Sequence, residues 1–190
     1  MKLVFASANP GKIAEIRQML PPHIELLGLP DIGCFEEIPE TADSIEGNAI
    51  LKADYVTRNF GYDCFADDTG LEVRALNGAP GVLSARYAGE HKSASDNMDL
   101  LLQNLKGHED RSAHFKTVIA LNLRGGQQLF TGICRGEITF ERQGSGGFGY
   151  DPLFMPDGYD RTFAQLSADE KNRIGHRGIA FRALLSFLQK

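Results

Sequence analysis

An α/β protein with a mixed sheet is the fold class that this sequence predicts, on three observations. Residues 2 to 6 (Lys-Leu-Val-Phe-Ala) form a buried-type strand run, and Ile13, Ile16, Met19 and Leu20 recur at helical spacing straight afterwards. A second strand near Ile24 to Leu27 precedes another amphipathic stretch that begins near Ser44, with Ile45, Ala49, Ala53, Val56 and Phe60 on one stripe. From Ala113 the chain alternates: Ala113, Phe115, Thr117, Ile119, Leu121 and Leu123 face one way, His114, Lys116 and Asn122 the other. Gly125-Gly126 then makes a two-residue turn into residues 127 to 135, an antiparallel hairpin that rules out a purely parallel sheet.

At 190 residues the chain predicts one domain, or one domain with two lobes, with a core that needs no staples. Cys34, Cys64 and Cys134 are odd in number and form no C-x-x-C, so neither a disulfide framework nor a zinc knuckle is indicated, and a reducing cytoplasm fits. The N-terminus turns polar by Ser7, too early for a secretory segment, and no later run could span a bilayer. A soluble, unprocessed protein is expected. The net charge of −5 argues against a nucleic-acid polymer, which needs a basic face to displace counterions along many phosphates. It leaves room for a single nucleotide held by a few focused cations.

Between the first strand and helix lies Ser7-Ala8-Asn9-Pro10-Gly11-Lys12. Asn9 is a good N-cap and Pro10 suits the first helical position, so the strand ends on a helix N-terminus with a lysine one turn in. That combination binds phosphate. It is not a Walker loop, because Ala6 stands where the first glycine belongs and Ile13 where Ser or Thr should hold the metal. A capped turn without a ligand is the plain alternative.

Cys64-Phe65-Ala66-Asp67-Asp68-Thr69-Gly70-Leu71 reads as strand, polar turn, strand, with the second strand over Leu71 to Ala75. Adjacent strand residues point to opposite faces, so one aspartate is expected to work and the other to brace it, unless the strand ends between them. Glu40, just before the helix near Ser44, lies within reach of a metal, although a loop glutamate is more often solvated. Asn77-Gly78-Ala79-Pro80-Gly81 is turn chemistry, and Met98, Leu101, Leu102 and Leu105 mark a core helix. The loop Gly144-Ser145-Gly146-Gly147-Phe148-Gly149-Tyr150-Asp151-Pro152 lets backbone approach a ligand and offers aromatic faces to a base. Ser167-Ala168-Asp169-Glu170 is a capping box. Gly175 and Gly178 bracket His176-Arg177, placing that pair on a helix break. The cationic concentration at Lys171, Arg173, His176, Arg177 and Arg182 also reads as a solvated helix face.

These motifs together make the sequence resemble the inosine triphosphate pyrophosphatase family. The resemblance rests on Ser7 to Lys12, Gly47 to Ala53, Ala66 to Leu71, Gly78 to Tyr87, Gly146 to Pro152 and His176-Arg177-Gly178, in the family's order over nearly the whole chain. It implies a long mixed β-sheet with flanking helices, two lobes around a central cleft, and a homodimer. It also implies Mg²⁺-dependent hydrolysis of deaminated purine nucleoside triphosphates (ITP, dITP and XTP) to monophosphate and pyrophosphate. By the same resemblance Ser7, Ala8, Asn9, Pro10, Gly11 and Lys12 contact the triphosphate. Glu40 and Asp68 handle Mg²⁺, Asp68 is the proton acceptor, and Thr69 touches substrate. Phe148, Gly149, Tyr150, Asp151, Lys171, His176 and Arg177 surround the base. Two positions depart from the family pattern: Gly175 stands where many members have Ser, and Gly47 where many have Glu. A nucleotide sensor without turnover, or an enzyme for modified pyrimidine or methylated nucleotides, are the competing functions.

Overall fold

Strand β1 (Lys2–Phe5) has parallel neighbours on both sides, β2 (Glu25–Leu27) and β3 (Cys64–Val73). Helix α1 (Pro10–Met19) connects β1 to β2, and α2 (Ile45–Phe60) carries the chain back across β1 to β3. The strand order therefore reverses at β1, and in open α/β sheets ligands bind outside the carboxyl ends of the strands at such a reversal. Register makes this concrete. Phe5 pairs with Phe65 and the Ala6 amide donates to the Phe65 carbonyl at 2.9 Å, so Asp67 and Asp68 continue β3 beyond the end of β1.

The remaining elements are β4 (Pro80–Gly81), α3 (Ala94–Asn104), β5 (Ser112–Leu123), β6 (Gly126–Ile138), β7 (Phe154–Pro156), α4 (Ala168–Ile174) and α5 (His176–Leu188). The sheet order is β2-β1-β3-β5-β6-β7, with β4 antiparallel on β3 and β7 antiparallel on β6, so the sheet is mixed as the hairpin predicts. The computed structural model describes residues 1–189. The chain divides into two compact units: Met1–Asp68, Thr117–Gly132 and the segment from Arg177 form the first, Thr69–Lys116 and Ile133–His176 the second. Both the Asp67-Asp68-Thr69 and the His176-Arg177 motifs straddle this division.

In the first unit Leu3, Phe5, Ile16, Ile24, Phe65, Ile119, Leu121, Phe181 and Leu184 form the core. The parallel register stacks the Phe5 and Phe65 rings at 4.7 Å, and Phe181 of α5 lies 5.9 Å from Phe65. In the second unit Leu71, Val73, Leu101, Leu105, Phe115, Ile138, Phe154 and Phe163 pack together, with the Phe154 ring edge-on to Phe115 at 4.7 Å.

Three local expectations are corrected. Residues 64 to 73 form one continuous strand with no polar turn, because Asp67 is paired inside the protein and needs no solvated bend. The hairpin turn is Arg124-Gly125, one residue earlier than expected. Both have positive φ (50° and 79°), as a two-residue primed turn requires, and the Arg124 amide is held by the Asp63 carboxylate at 2.9 Å. Finally, the break near the C-terminus lies at Gly175 alone, an extended residue between α4 and α5, while Gly178 sits inside α5. A β-carbon at Gly175 would lie 2.5 Å from the Lys171 carbonyl oxygen, and one at Gly47 would lie 2.7 Å from the Ala42 methyl. Both departures from the family pattern thus coincide with close approaches in this chain, to backbone at Gly175 and to a side chain at Gly47.

Phe181 is 1% exposed and is the α5 side chain that meets Phe65. Phe181→Ala is expected to lower unfolding free energy by about 3–5 kcal/mol in a urea titration at unchanged slope.

Candidate active site

In the first unit the cluster is built from α1 outward. Asn9 caps the helix, its Oδ1 accepting from the Lys12 amide at 3.1 Å, and the first turn carries the Lys12 side chain toward β3. Lys12 Nζ donates to Asp67 Oδ1 at 3.1 Å. Arg177, in the first turn of α5, donates from Nε to Asp67 Oδ2 at 3.0 Å, and its Nη1 donates to Glu15. Lys12 and Glu15 are three residues apart on α1 and so share a face. One carboxylate thereby uses both oxygens on two cations that are 55 and 110 residues away in sequence.

Asp67 is 0% exposed and Arg177 2%. Burial by itself would push the Asp67 carboxyl up, but Lys12, Arg177 and Lys52 outweigh it and hold the group well below the usual carboxylate range. For Arg177 burial is likewise overcome, by Asp67 and Glu15, and its proton is held more firmly than usual. At Lys12 burial prevails over the attraction of Asp67, and the ammonium sits below the ordinary lysine range.

A second group gathers around Lys52. α2 starts at the Ser44 cap, and Lys52 lies on its buried face with Asn48, Ala49 and Ala53. The Lys52 ammonium donates to Glu40. Burial opposes its charge, but Asp68, Glu40 and Asp67 raise it above the ordinary range. Burial acts on Glu40 in the opposite sense to Lys52 and Lys12, and the two cations prevail, holding Glu40 below its usual range. Asn48 Oδ1 accepts from the Ala42 amide at 2.9 Å, which pins the loop that carries Glu40. Glu40 and Asp68, assigned to one metal from sequence, are thus both gathered electrostatically at one ammonium.

Among the described residues no group of three or more His, Cys, Asp or Glu could hold a metal by itself. Two carboxylates are nevertheless the donor set Mg²⁺ takes from protein, since it draws its remaining oxygens from water and phosphate. The phosphate turn is more occupied than expected. The amides of Ser7, Asn9 and Lys12 already donate to Phe5 O, Ser7 Oγ and Asn9 Oδ1. A cavity of about 650 Å³ touches Ser7, Ala8 and Pro10, but its lining of Leu29, Cys34, Phe35 and others includes none of Lys12, Glu40, Lys52 or Asp68.

The second unit holds the other sequence-assigned residues. Asp151, 3% exposed, accepts from the Phe148 amide at 2.9 Å and pairs with Lys171 of α4, whose start the Ser167–Glu170 capping box sets. The Lys171 ammonium lies 4.6 Å from the Phe148 ring centroid. Tyr150 is buried and donates its hydroxyl to the Ser84 carbonyl at 2.7 Å, so the aromatic face left to the loop is the half-buried Phe148. Gly149 is a positive-φ residue of that loop, and Thr69 is a half-buried residue of β3. The His176 ring stacks on Phe115 at 4.5 Å. Arg177, next in sequence, belongs to the first unit with Asp67.

Sequence reasoning missed Lys52, Glu15 and the double duty of Asp67. Lys52 had a signal: a lysine on the apolar stripe of a helix is out of place unless it meets a carboxylate. Glu15 had none.

The Ham1 family model matches residues 3–187. The chain is 65% identical to a protein of Flavobacterium johnsoniae named dITP/XTP pyrophosphatase, over 99% of this chain and 98% of that one. It is 60% identical to the protein of that name from Christiangramia forsetii, over the whole of both. Among solved structures, the Staphylococcus aureus Ham1 protein superposes with a TM-score of 0.90 at 40% identity, covering 100% of this chain and 98% of the other.

Because the native Asp67 value lies below the unfolded value of about 3.9, its contribution to stability is complete above that pH and is lost as pH falls below about 4. Thermal unfolding between pH 7 and pH 2 is expected to show Tm dropping across that acid window, with a smaller drop in Asp67→Asn.

Proposed function

The chain belongs to the Ham1 family, and from that premise we propose that it is a Mg²⁺-dependent pyrophosphatase hydrolysing ITP, dITP and XTP to the monophosphate and pyrophosphate. Such an enzyme keeps deaminated purines out of DNA and RNA. The observation that carries the reading is the cluster at the carboxyl end of β1: half-buried Lys12 and buried Lys52, each paired with a carboxylate, beside a capped helix N-terminus. Ser7 to Lys12 take the triphosphate, through the Ala8 and Gly11 amides, the Ser7 and Asn9 side chains, and the Lys12 charge. Pro10 starts the helix without an amide to satisfy. Lys52 adds a second cation.

Glu40 and Asp68 hold Mg²⁺, which when bound neutralises phosphate charge and helps stabilise what builds up in transfer. Asp68 accepts the proton of the attacking water, while Lys12 and Lys52 stabilise the phosphate oxygens and Thr69 contacts substrate beside them. For the base, Phe148 offers its ring, the loop Gly149, Tyr150 and Asp151 shapes the surroundings, and Lys171, His176 and Arg177 supply donors. An oxo group at the purine six position accepts from such donors, whereas the amino group of adenine meets them donor to donor. A homodimer in the cytoplasm completes the reading.

Purified protein assayed for pyrophosphate with ITP, XTP, ATP, GTP and UTP is expected to prefer the deaminated purines and to lose turnover with EDTA, recovering it with Mg²⁺. A preference for ATP or UTP overturns the base assignment, and absence of turnover on every nucleotide supports a sensor. Asp68→Asn is expected to lower kcat by about 10²–10⁴-fold while leaving nucleotide affinity within a few fold. Near-normal kcat removes Asp68 from its role.

A further inference from the structure

We propose that Asp67 is the positioning residue for the phosphate end of the site: its buried carboxylate sets the Lys12 ammonium where a triphosphate meets it, while Arg177 locks the other carboxylate oxygen. The proposal rests on the reading of residues 7 to 12 as the phosphate turn.

Three observations carry it. Asp67 projects from the interior of a ten-residue strand whose register against β1 is set at Phe5 and Phe65, so its carboxylate has little freedom. Both of its oxygens are used, Oδ1 by Lys12 at 3.1 Å and Oδ2 by Arg177 at 3.0 Å, which fixes the plane of the group. Lys12 is a flexible stem with a point charge, its side chain 13% exposed, and among the described residues Asp67 is its one carboxylate at ion-pair distance. A cation ordered before the ligand arrives spares the complex that ordering cost, so the Asp67–Lys12 pair raises affinity for phosphate without touching the reacting atoms.

The two partners are not symmetric. Arg177 is held by Glu15 as well as by Asp67, so loss of Asp67 leaves the Glu15 pair in place, whereas Lys12 loses its ion pair. A general loosening of the unit would degrade every function alike. A positioning role degrades phosphate binding selectively.

The test uses the full chain and inorganic tripolyphosphate, measured by calorimetry with Mg²⁺, beside steady-state kinetics on ITP. Asp67→Asn is expected to weaken tripolyphosphate binding and raise KM about tenfold, with kcat within threefold and the ITP to ATP preference within threefold. Combined with Lys12→Met, it is expected to be no worse than Lys12→Met alone. Unchanged tripolyphosphate affinity, equal losses in KM, kcat and base preference, or additive losses in the double variant overturn the proposal. Should Asp67→Asn fail to fold, Asp67→Glu, which keeps the charge but displaces the carboxylate from Lys12 and Arg177, is read instead. A loss of tripolyphosphate affinity greater than threefold with kcat within threefold supports the proposal, and affinity within threefold of wild type overturns it. If the wild-type protein fails to hydrolyse ITP, the assigned activity falls, while the tripolyphosphate titration still decides the role of Asp67.

Discussion

A carboxylate with no contact to water, gripped from two sides by a lysine and an arginine, constrains much of the first unit. Moving a charged carboxylate into the interior costs several kcal/mol, and the cost is recovered only when its oxygens are well partnered. Asp67 meets that condition when β3, the first turn of α1 and the first turn of α5 are all in place. Residues 12, 67 and 177 are therefore bound to one arrangement, although nothing local joins them. The surrounding apolar contacts, Phe5 of β1 on Phe65 of β3 and Phe181 of α5 beside Phe65, with Ile16 of α1 in the same core, bring these elements together by a non-directional force. Directional pairing at Asp67 then selects how they meet.

The same arrangement gathers lysine and arginine side chains together within a chain of net charge −5. Charges alternate through Glu15, Arg177, Asp67 and Lys12, and again through Glu40, Lys52 and Asp68. Each buried cation is stabilised by carboxylates, so it can be kept charged in a poorly hydrated place without a basic surface. Groups of both signs are thereby held in a poorly hydrated place, where interactions are stronger than in water. The second unit repeats the device on a smaller scale with Asp151 and Lys171, and adds an aromatic ring beside the ammonium.

Much of this was legible in the one-dimensional pattern. Period-two and helical spacing located β1, α1, α2 and the β5–β6 hairpin, because those periods reflect burial on one face and act within a few residues. Ser44, Ser167 and Asn9 announced their helix starts, since a cap is a contact between neighbours in sequence. The motif set also placed the chain in a family whose model matches nearly its full length. Where the reading slipped, the cause was long-range. Asp-Asp-Thr-Gly has the composition of a turn, yet distant cations make it strand interior. Gly125-Gly126 looks like the turn, yet Asp63 and the strand register move it back by one residue.

What the sequence determined alone is therefore the alternation of elements, their caps, the family, and the residue types available for phosphate and metal. The tertiary structure decided which partner each charge receives: Lys52 with Glu40, Lys12 with Asp67, Arg177 with Glu15 and Asp67. The physical reason is range. Periodicity and capping are short-range preferences written into adjacent residues, whereas the value of a buried charge depends on what the fold places within a few ångströms of it, at separations of up to 162 residues here.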